Sequence, residues 1–217
     1  LWLLSWIATP LAAQDTVSVR DLGLWTGVEV EKEVKDDWTF SVKQELRLKT
    51  NMSEVNNYFT QAGIRYKINR NFALEAKYRF TRNKEKDFTY ENRSRYNLDL
   101  RYRGRLDFLT FDYRLRYQKE VESMRLFDME EPYEKYVRNR ISARYTDFKT
   151  IEPYLSWELF QLFQRYETPR FHYMRLEAGV RIETGDLGEF KLAWGFNREF
   201  KEIYPATFYM IRINYTF

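Results

Sequence analysis

The sequence predicts an all-β chain that closes into an antiparallel, up-and-down transmembrane β-barrel of roughly 10–12 strands, an even number as in bacterial single-chain barrels, with twelve preferred. Three observations predict it. At the C-terminus, Tyr209, Ile211, Ile213, Tyr215 and Phe217 make one apolar row with aromatic ends, while Arg212, Asn214 and Thr216 make a polar row. A period of two marks a strand with two different faces. The same alternation recurs along the chain, and helical periodicity is absent. Finally, 18% of the 217 residues are aromatic and mean hydropathy is −0.68. No apolar run approaches the roughly 18 residues of a transmembrane helix. Barrel strands hide their apolarity from such averages because every second residue is polar.

The chain opens on LWLLSWIATPLAA, an apolar stretch ending in small residues and followed by Gln14. It reads as the apolar region and cleavage site of a secretory signal. Residues 1–13 are thus expected to be a partial signal peptide, and residues 14–217 one barrel domain.

Eleven alternating segments follow. Residues 22–34 set Leu22, Leu24, Val28 and Val30 against Trp25, Glu29, Glu31 and Glu33; after a turn at 35–37, residues 38–49 set Trp38, Phe40 and Val42 against Lys43, Glu45 and Arg47. Beyond a polar loop at 50–57 come residues 58–68, a turn at 69–71 and residues 72–81. A charged loop at 82–89 leads to residues 90–102, a turn at Arg103-Gly104-Arg105 and residues 106–118. After the longest loop, 119–132, come residues 135–145, a turn at 146–150 and residues 151–160. A loop at 161–170 precedes residues 173–183, a turn at 184–188, residues 190–197 and the last strand. Short turns thus alternate with longer polar loops, as in barrels with tight periplasmic turns and longer external loops. Apolar rows end in Tyr, Trp or Phe, which suits two interfacial girdles.

An odd count leaves the closure open. Either residues 14–25 supply a further short strand, giving twelve, or they run through the lumen, leaving ten. A soluble lipocalin-like or sandwich protein would bury the apolar rows instead, and these are rich in bulky Tyr and Trp for one small interior. The terminal row, Tyr209 to Phe217, also resembles the C-terminal signal by which outer-membrane barrels are handed to their assembly machinery. Lipid and that machinery are therefore the expected partners, in the outer membrane of a Gram-negative cell.

With lipid outside, the charged rows face the lumen. They carry roughly nineteen Lys/Arg and about twelve Asp/Glu, the polar interior expected of such barrels. Arg95, Arg101, Arg114, Arg116, Arg138, Arg140 and Arg144 would form a basic wall, and Glu45, Glu75, Asp99, Asp112, Glu158 and Glu177 are its acids. Two outcomes are open: a salt-bridged structural plug, or a narrow pore in which rings of Arg and Lys prefer anions.

Enzyme chemistry finds little support, and the chain is expected not to be an enzyme. There is no Cys, and the one histidine is His172. Outer-membrane phospholipases carry Ser two residues after the catalytic His, whereas Met174 stands there. Ser142 and Ser156 are not placed beside His172 by any spacing, so no base is matched to a nucleophile. Asp36-Asp37 falls in a short turn. An outer-membrane lipid-modifying enzyme, or a protein binding a partner through loops 119–132 and 161–170, are the alternatives. Asp128, Glu130, Glu131 and Glu134 form an acidic loop without the full oxygen set of a calcium site, so no metal or other cofactor is expected. A net charge of +4 with evenly spread bases argues against nucleic acid.

Several local motifs recur in order: Gly23-Leu24-Trp25-Thr26-Gly27, Gly63-Ile64-Arg65-Tyr66, Tyr78-Arg79-Phe80, Arg114-Leu115-Arg116-Tyr117-Gln118 and Pro153-Tyr154-Leu155-Ser156-Trp157-Glu158-Leu159-Phe160. Together they resemble an uncharacterised family of Gram-negative outer-membrane barrels, known as a domain of unknown function. The resemblance spans about Asp21 to Phe217. It implies the barrel and its location, and it implies no catalytic residues.

Overall fold

The structure is a computed structural model describing residues 20–35, 37–84, 89–122, 134–148, 150–164, 167–200 and 205–217. The proposed signal segment and residues 14–19 lie outside the described residues, as do Asp128, Glu130 and Glu131. Eleven strands follow one another: β1 (Arg20–Lys35), β2 (Trp38–Lys49), β3 (Glu54–Lys67), β4 (Phe72–Lys84), β5 (Tyr90–Leu106), β6 (Leu109–Glu122), β7 (Glu134–Tyr145), β8 (Ile151–Phe163), β9 (Arg170–Glu183), β10 (Glu189–Glu199) and β11 (Thr207–Thr216). A 3-10 turn, Gly185–Leu187, lies between β9 and β10.

Each strand pairs antiparallel with its predecessor, and the sheet closes into a barrel where β1 meets β11. That closure corrects two expectations. The barrel has neither ten nor twelve strands, and it is not wholly antiparallel. Ten reversals of direction leave the first and last of eleven strands running the same way, so the seam must be parallel. It is paired from Arg20↔Thr207 to Glu29↔Thr216. Backbone bonds extend it: the Phe217 N–H donates to the Glu29 carbonyl at 2.9 Å, and the Glu31 N–H donates to the Phe217 carbonyl at 3.0 Å. The terminal apolar row is therefore the outward face of the strand that closes the ring.

One side-chain device holds the seam, and a second ties β1 to the β2–β3 turn on its other side. Phe208 stacks on Trp25, centroids 6.1 Å apart, and its ring covers Gly23, where a Cβ would come within 2.2 Å of Phe208 Cζ. Only glycine admits the ring, an aromatic laid over an unprotected backbone. The Asp21 carboxylate accepts from the Thr50 and Asn51 N–H groups at 3.0 and 2.9 Å. These residues and Met52 all take positive φ, 54° to 66°, a conformation that costs energy in non-glycine residues.

The connections sort by end. Those at one end, here the turn end, are 36–37, 68–71, 107–108, 146–150 and 184–188; those at the other, the loop end, are 50–53, 85–89, 123–133, 164–169 and 200–206. Several boundaries differ from expectation: β4 runs to Lys84, β6 to Glu122 and β8 to Phe163, each into an expected loop. Strand β3 begins at Glu54, inside the expected loop. The β5–β6 turn is Asp107-Phe108, since Gly104 pairs with Phe111 inside the ladder. Asp107 takes φ 47°, a region Asp tolerates well, so the glycine is not needed to reverse the chain.

Burial is inverted relative to a water-soluble barrel. Outward Val42 and Leu98 are 56% and 59% exposed, whereas inward Asp99 and Glu75 are 2% and 3% exposed. Outward charged residues, among them Lys32, Arg82, Lys119 and Arg198, sit near strand ends. Among the described residues, the middle of every outward row is uncharged. Outward polar groups there are paired across strands: Thr60 Oγ1 with Gln44 Oε1 at 2.6 Å, Tyr78 Oη with Ser94 Oγ at 3.1 Å, Tyr113 Oη with Asn139 Oδ1 at 2.7 Å. Aromatic pairs flank this band, Trp38–Tyr66 and Phe72–Tyr102 toward the turn end, Tyr58–Tyr90 and Phe196–Tyr209 toward the loop end.

Candidate functional site: the charged lumen

The inward rows enclose a cavity of about 870 Å³ that reaches from Asn56 and Lys84 near the loop end to Arg181 and Thr216 near the turn end. Nineteen Lys and Arg and seven Glu line it. Of the expected basic wall, Arg95, Arg101, Arg114, Arg116, Arg138 and Arg140 line this cavity, and Arg144 lines a recess beside it. Strands β9 to β11 continue the wall with Arg175, Arg181, Lys191 and Arg212.

The expected acids all face inward, and every one is held by bases. Glu158 is the most contested. Arg114 reaches its Oε1 at 2.5 Å, Arg138 grips both oxygens at 3.1 and 3.0 Å, and Arg175 lies 3.8 Å away. Asp99 forms a two-pronged pair with Arg116, both bonds 2.6 Å. Glu75 meets Arg65, Lys77 and Arg101 at 2.9 to 3.2 Å. Glu177 meets Arg212 at 2.6 Å, Lys191 at 3.2 Å and the donating Tyr154 hydroxyl at 2.7 Å. Glu45 lies between Lys43 and Arg47, and Asp112 pairs with Arg103 at 2.8 Å. Glu75 and Asp99 are covered by their partners and do not line the cavity, which leaves its surface more cationic than a residue count implies. A buried carboxylate lowers the cost of several guanidiniums at once, because each unpaired buried charge would be expensive.

Toward the loop end, aromatic rings enter the lumen. Trp25, Phe59 and Phe160 are 4%, 1% and 1% exposed. Arg47 lies 3.9 Å from the Trp25 centroid, with Arg175 and Arg212 both at 4.9 Å. Arg79 lies 3.6 Å from Phe59, and Arg138 4.2 Å from Phe160. The rings attract cations through their faces. Tyr136, Leu162 and Tyr173 pack beside Phe160. Phe59 was not singled out from the sequence, and Phe160 only within a motif, although period two places them in the rows of Gln61 and Glu158.

His172 falls at the β8–β9 irregularity, where Phe160 pairs with Tyr173 and Gln161 with Phe171. Its Nδ1 lies 2.8 Å from the Tyr136 hydroxyl. Ser142 and Ser156 pair with each other in the turn-end half of β7 and β8, away from the histidine. Among the described residues, no group of His, Cys, Asp or Glu forms a metal site.

Fold and lumen define a closed β-barrel with an apolar exterior and a charged, net cationic interior. A family model described as a protein of unknown function, DUF2490, matches residues 22–199, and the chain belongs to that family. No match is found among curated proteins or among solved structures.

Proposed function

We propose that the chain is a non-enzymatic barrel of a Gram-negative outer membrane whose lumen is a narrow, anion-preferring path. The observation that carries this is the inverted wall: uncharged through the middle of its outer face, with nineteen bases against seven acids lining the cavity inside. A transmembrane strand needs about 9–11 residues when tilted, and the shortest strand here has 10. Hydrocarbon tolerates only structures whose backbone is paired internally, which a closed ring achieves. The mid-wall polar pairs, such as Gln44–Thr60, fit the same requirement. Aromatic pairs at two levels match interfacial girdles. Inside, an excess of fixed positive charge admits anions and repels cations.

A second reading is favoured by one observation. The Trp25, Phe59 and Phe160 rings are buried in the loop-end half with arginines laid over them, which fits a filled accessory barrel that does not conduct. Planar bilayers separate the two readings. In a KCl gradient, the pore reading expects a reversal potential displaced toward that of chloride. A cation-selective current would overturn it, and absence of current would leave the accessory barrel. Fractionation of tagged protein with outer-membrane vesicles tests the location.

A further inference from the structure

Beside the main lumen, in its turn-end half, lies a recess of about 80 Å³ between the inner faces of β5–β8 and β9–β10. Seven Lys and Arg line it, against one carboxylate, Asp112. Most of these bases have acids elsewhere: Arg101 on Glu75, Lys191 on Glu177, Arg144 on Glu152. Arg140 has none. It stands in register between Arg114 and Glu158, but Glu158 is already taken by Arg114, Arg138 and Arg175. No ion pair or hydrogen bond to Arg140 is formed among the described residues. The neighbouring Ser142 and Ser156 face each other across β7 and β8, and neither hydroxyl has a hydrogen-bond partner among those residues. Arg101 and Arg114 each also bury an Nε–H without an acceptor.

An unpaired guanidinium, two free hydroxyls and under-neutralised neighbours in one small recess form an incomplete set of donors. The missing component is an acceptor with several oxygens and negative charge. We propose that this recess binds a phosphate group, with Arg140 supplying a forked pair of N–H donors and Ser142 and Ser156 donating to further oxygens. Guanidinium matches phosphate geometry in two bonds at once. Three or more oxygens in different directions suit donors that converge from both strands, and a chloride ion would leave most of them unused. The volume exceeds several-fold the ~10–15 Å³ that one water requires. The group lies inside the barrel, so its source is a free ion or a small phosphate ester that enters from an open end. The site rests on the cationic lumen of the proposed function but does not require conduction.

The test is isothermal titration of the purified, detergent-folded barrel with inorganic phosphate, with glycerol phosphate and with chloride at matched ionic strength. Phosphate is expected to bind well above chloride, and binding of glycerol phosphate would extend the source to small esters. Arg140→Ala should weaken phosphate at least about tenfold, the loss expected for a charged hydrogen-bonding pair. Ser142→Ala should weaken it less. Lys67→Ala, which removes an exposed pair with Glu33, should leave it unchanged. Thermal unfolding of each variant confirms that it folds, and Arg140→Lys, which keeps the charge without the fork, covers the case where alanine does not. Phosphate binding no tighter than chloride, or equal binding by wild type and Arg140→Ala, overturns the site. Bilayer selectivity reads the pore separately: chloride preference without phosphate binding removes the site alone, and phosphate binding without current removes the pore alone.

Discussion

In the loop-end half of the lumen, five arginines lie over three aromatic rings: Arg47, Arg79, Arg138, Arg175 and Arg212 over Trp25, Phe59 and Phe160. Arg79 also donates twice to Gln61 Oε1, at 3.0 and 2.8 Å. In the turn-end half, Arg140 meets neither ring nor carboxylate, and the recess around it holds seven bases and one acid. The same side chain thus serves as packing material in one half and as available charge in the other. What differs is the company it keeps. A planar guanidinium can be satisfied by a π face or a fixed carboxylate, and the turn-end wall offers Arg140 neither: the Tyr154 ring lies under Lys191, 4.5 Å from its Nζ, and the acids are already engaged.

Substitutions can break or sharpen this contrast. The largest effect is expected at the junction of the halves. Glu158→Gln removes the charge shared by Arg114, Arg138 and Arg175 and should cost about 3 kcal/mol, read as a lower urea midpoint for the barrel in detergent. Trp25→Ala follows. It strips the ring from three arginines and should cost about 2–3 kcal/mol; if the cluster is the constriction, single-channel conductance rises in the same variant. Asp21→Ala releases the left-handed turn at Thr50–Met52 from β1, for about 1 kcal/mol in the same unfolding assay. Arg140→Ala should be the mildest, within about 0.5 kcal/mol of wild type, because no contact is lost. Its effect belongs instead in the reversal potential, which should move toward zero. A large destabilisation by Arg140→Ala would erase the contrast between the halves.

Much of this wall was legible in the sequence because a strand's period is two: once Phe40 and Val42 are placed outside, Lys43 and Glu45 must be inside. The same rule put Trp25 in the charged row of β1. It could not show Arg47, Arg175 and Arg212 gathering on that ring, since they arrive from β2, β9 and β11 and meet only when the barrel closes. Closure itself was the weakest expectation. Even strand number is a habit of a class of barrels, whereas the parallel β1–β11 seam carries a ring over Gly23, which leaves no periodic trace. Gly104 misdirected the β5–β6 turn because glycine is a general turn signal, while Asp107 supplied the positive φ. Nor could periodicity distinguish Arg138 from Arg140, two residues apart on one row: the first claims Glu158 and the second is left without it.

The claim on which everything else depends is that the apolar face meets lipid while the charged face meets an aqueous lumen. The chain contains no cysteine, so a thiol introduced at any position is unique. Spin labels placed by Val28→Cys, Glu29→Cys, Val30→Cys and Glu31→Cys in lipid vesicles, with collisions measured against oxygen and a water-soluble nickel chelate, test the wall residue by residue. Labels at 28 and 30 should collide mainly with oxygen in the bilayer, and labels at 29 and 31 mainly with the chelate. The opposite alternation, or equal access of the chelate to all four positions, would contradict a membrane-spanning barrel with a charged lumen.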